Sequence, residues 1–157
     1  MIASVHVADM GARSALGVNR KAPPAGSIAG LRSASVAIAA PLSDKVLGPV
    51  QFGRAALIAF WDDDAAVDRF VSGHPLAERF ASGWNVRLEP LRAFGTWPGL
   101  PADITAERHV DHEGPVAVLT LGRPRASELV RFLRTSANAA GTRTSVMFSH
   151  QTRIRDA

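Results

Sequence analysis

The stretch Phe52-Gly53-Arg54-Ala55-Ala56-Leu57-Ile58-Ala59-Phe60-Trp61-Asp62-Asp63-Asp64 decides the fold. From Ala55 to Phe60 one set of alternate residues is Ala55, Leu57 and Ala59 and the other is Ala56, Ile58 and Phe60, so both sets are apolar. Side chains of a strand point alternately to two faces, and apolar residues on both mean burial on both. The aspartates that follow at once put acceptors and negative charge where a helix leaves its first N–H groups unpaired. Val67, Phe70 and Val71 then share one helical face. A doubly buried strand running straight into an amphipathic helix implies a layered α+β arrangement.

Upstream, Ile2, Val5 and Val7 read as a first strand, and Asp9 stands where a helix N-cap belongs. Ala12, Ala15 and Leu16 give that helix an apolar face before Lys21, and Pro23, Pro24 and Gly26 close it. Leu31 to Ala40 alternates again, with Ala34, Val36 and Ile38 opposite Ser33, Ser35, Ala37 and Ala39. The second of these faces carries only small side chains, so another element can approach its backbone closely. Residues 41–50 form a connector rich in Pro, Ser, Asp and Gly.

Downstream, Gly73 interrupts the helix and His74-Pro75 restarts it, with proline at a first-turn position. Leu76, Phe80 and Trp84 continue at helical spacing, and a last strand runs from about Asn85 to Trp97. Its phase shifts at Pro90, which suggests a bulge or an edge. Residues 1–97 thus form one β-α-β-β-α-β unit. A polar linker (98–113) leads to a second strand and helix over 114–137, with the strand at Pro115 to Leu121 and the helix from Pro124 to about Ala137. Residues 138–157 show no convincing period and read as a loose basic tail.

The chain has 157 residues, 46% of them apolar, enough for a single core. Without cysteine there are no disulfides, thiolate metal sites or cysteine nucleophile. Residues 1–121 hold eleven Lys and Arg against twelve Asp and Glu, a net of −1; residues 122–157 hold seven Arg against two acids, a net of +5. The basicity belongs to the C-terminal stretch. Few aromatics accompany it, Phe132 and Phe148, so no specific nucleic-acid partner is expected. The first residues lack the basic flank and long apolar run of a secretory signal, and no run is long enough to span a bilayer, so a cytoplasmic protein without a transmembrane segment is expected. Phosphate loops and serine-nucleophile elbows are also missing from the sequence.

Four stretches resemble the spheroidene monooxygenase family, bacterial carotenoid-modifying haem enzymes and their relatives. They are residues 56–63 (Ala-Leu-Ile-Ala-Phe-Trp-Asp-Asp), 84–91 (Trp-Asn-Val-Arg-Leu-Glu-Pro-Leu), 95–99 (Gly-Thr-Trp-Pro-Gly) and 114–120 (Gly-Pro-Val-Ala-Val-Leu-Thr). The resemblance covers residues 1 to about 136. It implies ferredoxin-like βαββαβ repeats of the dimeric α+β barrel type, here one repeat and the beginning of a second. It also implies haem, an electron-donor protein, and hydroxylation or oxidation of an apolar polyene. This chain departs from the family at Gly99-Leu100-Pro101-Ala102, where the family pattern is Gly-x-x-Pro-Phe, and in its incomplete second repeat. Two functions follow: an oxidoreductase-like protein, or a non-catalytic binding or assembly domain that retains the first repeat. In either case a homo-oligomer can cover the faces and edges of a lone sheet.

Haem requires an axial ligand, usually histidine, at an apolar wall. The five histidines are His6, His74, His109, His112 and His150. His74, near Phe70 and Phe80, is the candidate ligand, although a cap before Pro75 explains it as well. Strand parity leaves the side of His6 open. Arg87 is a candidate for a haem propionate, with cross-strand ion pairing alongside Glu89 as the simpler account. Trp84, Trp97 and Phe60 are candidates for a polyene pocket and equally for packing. His109-Val110-Asp111-His112-Glu113 has the look of a metal cluster, but a solvated connector accounts for it and no metal site is expected.

Overall fold

A computed structural model of the chain describes residues 1–41, 53–95, 99–101, 104–119 and 146–149. The elements are β1 (Ile2–Asp9), α1 (Ala12–Asn19), β2 (Leu31–Pro41), β3 (Arg54–Trp61), α2 (Asp64–Gly73), α3 (Pro75–Glu78), β4 (Trp84–Leu88) and β5 (Val146–Ser149). The strands form one sheet in the order β4-β1-β3-β2-β5, with every neighbouring pair antiparallel. The strand with two apolar faces is therefore the central one. β1 reaches β2 through α1 by stepping over β3, and β3 reaches β4 through α2 by stepping over β1.

Both helices lie on the same side of the sheet. Ala15 and Val18 of α1 and Ala66, Val67 and Phe70 of α2 join Ala8, Val36, Leu57 and Trp61 in one buried cluster. The opposite face, helix-free among the described residues, carries a second cluster of Ala3, Val5, Val7, Ala56, Ile58 and Phe60, against which Leu88, Leu100 and Leu119 pack. Cross-strand register arranges this face in three rows: Phe60–Ala3–Leu88, Ile58–Val5–Val86 and Ala56–Val7–Trp84. The small residues of β2 are indeed approached closely. A Cβ on Gly99 would sit 2.4 Å from that of Ser33, so the chain at 99–101 lies directly on the strand.

Several boundaries differ from the expectation. Asp9 remains in β1, paired with Arg54, so it is not the cap; α1 starts after Gly11, and Asp9 accepts only a long hydrogen bond from Gly11 N. Trp84 does not extend the helix. α3 ends at Glu78, and Gly83 turns the chain so tightly beside β1 that a Cβ there would lie 1.9 Å from the Val7 carbonyl oxygen. Trp84 thereby becomes the first residue of β4. That strand ends at Leu88 and not at Trp97, because Pro90 brings no N–H to a ladder. It is an edge strand, while the register irregularity falls on β2 between Leu31 and Ser33.

The strand expected at Pro115 to Leu121 is not formed over residues 115–119. Leu119 packs onto the sheet's face, while Val116 and Val118 are exposed. Conversely, the stretch expected to be without regular structure supplies β5, which pairs with β2 from Ile38↔Ser149 to Pro41↔Val146. The helix expected from Pro124 lies outside the described residues. Among the described residues no helix is long and apolar enough to cross a membrane.

Candidate functional site

Alternation along β1 sends Ala3, Val5 and Val7 to the helix-free face and therefore Ser4 and His6 to the helix side, where both are buried. Trp61, at the end of β3, donates its indole N–H to Ser4 Oγ at 2.8 Å. His6 Nε2 lies 3.1 Å from the same oxygen. Indole is a donor only, so Ser4 Oγ accepts from Trp61 and its single proton is free for His6 Nε2. That arrangement joins the three groups through a single oxygen.

Aromatic rings enclose the imidazole. Phe70 meets it edge-on at 5.7 Å and Phe80 at 6.2 Å, while Phe70 also packs on Trp61 at 4.9 Å and on His74 at 5.3 Å. Burial, and secondarily the positive charge of Arg87, push the pKa of His6 below its ordinary value. Both causes penalise the imidazolium, so the ring is neutral at physiological pH. A serine beside a histidine has the outline of a nucleophile and base. Here the hydroxyl is occupied by Trp61 and sealed from solvent, which makes the cluster a fastener between β1, β3 and α2.

His74 is the C-cap of α2 and the N-cap of α3, and its Nδ1 accepts the Leu76 N–H at 3.1 Å. An imidazole that accepts at Nδ1 is neutral and carries its proton on Nε2. It then has no second lone pair for a metal, which the usual ligating histidine keeps by donating its other N–H. Arg87 points to the helix side as well. Its guanidinium bridges Asp64 (3.0 Å) and Asp68 (2.5 Å) on α2, and the hydrogen bonds to Asp68 and Asp64 raise its pKa further.

Trp84 and Phe60 lie on the other side of the sheet. They share the helix-free face but stand in its first and last rows, with Val7 and Ala3 as the respective β1 partners. Four residues of strand separate those rows, roughly 13 Å. Phe60 is buried, whereas Trp84 is 53% exposed and Val86 between them 37%. Trp97 lies outside the described residues. The four expected site residues that are described are thus not gathered: His74 and Arg87 serve α2 and α3, and Trp84 and Phe60 belong to the apolar wall.

The three aspartates have separate tasks. Asp63 caps α2 by accepting from Ala66 N at 2.8 Å, Asp62 pairs with Arg32 at 2.7 Å, and Asp64 holds Arg87. Only the middle one is the cap expected from the run. His109 and Asp111 pair at 3.0 Å on an exposed loop, and no group of three His, Cys, Asp or Glu among the described residues is placed to hold a metal.

Sequence reasoning missed the Ser4–His6–Trp61 cluster. The parity of Val5 and Val7 was the available signal, since it sends Ser4 and His6 together to one side. The partner 57 positions away was not readable from local pattern.

Compared with protein-family models, curated proteins and solved structures, the chain matches none. Functional interpretation therefore rests on residues and geometry. For haem, the fit to the named residues is poor: His74 lacks a free lone pair, His6 gives Nε2 to Ser4, and Arg87 is held by two carboxylates.

Proposed function

We propose that the chain is a binding domain of ferredoxin-like βαββαβ form, related to the haem monooxygenases its sequence resembles, that holds an apolar small molecule of the polyene type without transforming it. The order β4-β1-β3-β2 with both helices on one side supports the ferredoxin-like reading. One observation carries the functional reading. The polar and titratable groups of β1 and β4 (Ser4, His6, Asn85 and Arg87) all face the helix side, which leaves Ala3, Val5, Val7, Trp84, Val86 and Leu88 on the other as an apolar wall that is buried at Ala3, Val5 and Val7 and exposed at Trp84 and Val86. Contact with the exposed part of this wall, at Trp84 and Val86, favours binding in proportion to the apolar area removed from water. Trp84 offers a flat, partly exposed surface suited to a conjugated chain.

The oxidoreductase reading, with haem and an electron-donor protein, has one feature in its favour: His6 is an imidazole walled by Phe70 and Phe80. Haem titration of the purified chain separates the two. The binding-domain reading expects no saturable histidine-ligated visible spectrum. A saturable spectrum of that kind, lost in His6→Ala or His74→Ala, would establish the oxidoreductase in its place.

A further inference from the structure

We propose that β4 is a dimerisation edge, and that two copies of this chain pair β4 with β4 antiparallel about a two-fold axis through Val86. The inference stands on the strand edge and does not depend on the apolar ligand. Among the described residues β4 closes one end of the sheet and pairs with β1 only, so its outer backbone groups face away from that sheet. Exposed edges are ordinarily protected by charge, proline or bulges within the strand. β4 has none of these at work. Its single charge, Arg87, is drawn over the helix face by Asp64 and Asp68, and Pro90 lies beyond the strand's end.

The residues select one register. Centring on Val86 uses all five residues and sets Trp84 opposite Leu88 of the second copy, Val86 opposite Val86, and Asn85 opposite Arg87. The first two pairings are apolar and on the helix-free face; the third places an amide oxygen before a guanidinium. Centring on Arg87 would put like charges opposite one another, which is unfavourable, and centring on Asn85 would leave Arg87 facing Gly83. In the favoured register the apolar rows of both copies run on continuously across the axis. A symmetric, self-complementary contact of this sort closes after two subunits.

The test is the mass of the full-length chain in solution by sedimentation equilibrium. The wild type is expected at twice the chain mass of 16.6 kDa. Val86 is exposed, so Val86→Lys and Val86→Glu should keep the fold, as far-UV circular dichroism will show. Each alone sets like charges face to face and is expected to be monomeric; mixed in equal amounts they should restore the dimer, because position 86 meets itself only in this register. A monomeric wild type overturns the proposal and leaves the edge to another partner or to solvent. A dimer indifferent to both substitutions, or variants that do not recombine, overturns it equally.

Discussion

Trp61 reaches across from β3 and donates its indole N–H to the hydroxyl of Ser4 on β1, which leaves the Ser4 proton free for His6. The central strand and its neighbour are joined at this point by hydrogen bonds, and Phe70 of α2 packs on both His6 and Trp61. Removing the hydroxyl in Ser4→Ala leaves both the indole N–H and His6 Nε2 without their partner. A buried group left unsatisfied costs about 1–3 kcal/mol. The urea midpoint should fall accordingly, with Ser4→Thr less affected than Ser4→Ala. An unchanged midpoint in Ser4→Ala would show that the hydroxyl contributes nothing.

His6 makes stability depend on pH. Its folded pKa lies below the ordinary 6.5, so between these two values the unfolded chain binds more protons than the folded one. The contribution is complete above 6.5 and is lost as the pH falls through the folded pKa. Urea midpoints should drop from about pH 7.5 to about pH 5, and His6→Gln should flatten that part of the profile. In Arg87→Gln, removal of the neighbouring positive charge raises the folded pKa and shrinks the dependence.

His74 acts as a cap and is expected to behave as one. His74→Ala should cost about 0.5–2 kcal/mol, in the range of lost N-caps, while His74→Asn, which retains an acceptor for Leu76 N, should recover most of it. Equal losses in the two variants would count against the capping role.

Gly83 lies where no side chain fits, since a Cβ there would be 1.9 Å from the Val7 carbonyl oxygen. Gly83→Ala must push β4 away from β1, at about 1–3 kcal/mol by analogy with overpacked cores. Hydrogen exchange should accelerate at Trp84 to Leu88 before it does in β3. Protection unaltered by Gly83→Ala would contradict this close approach.

The parts of the fold legible in the sequence were those with strong local periodicity. The two apolar faces of Ala55 to Phe60 marked the strand that proves central, and the small face of β2 anticipated the approach of Gly99 to Ser33. Where long-range contact overrides local pattern, reading failed. Trp84 kept helical spacing with Leu76 and Phe80, yet the contact of Gly83 with β1 makes it a strand residue. Residues 115–119 alternate like a strand, yet they form none, and Leu119 packs on the sheet's face. β5 has little pattern of its own and exists by pairing with β2. Candidate site residues fared similarly: residue type suggested chemistry for His74 and Arg87, and their neighbours Leu76, Asp64 and Asp68 give them structural work.

The central claim is that the helix-free face binds an apolar polyene, and the most direct measurement is a titration of the purified chain with a carotenoid, followed by the induced circular dichroism of the polyene absorption band. The account predicts a saturable signal that is weakened at least about tenfold in affinity by Trp84→Ala, a loss equivalent to about 1.4 kcal/mol, and left unchanged by His74→Asn. No induced signal, or one indifferent to Trp84→Ala, would contradict it.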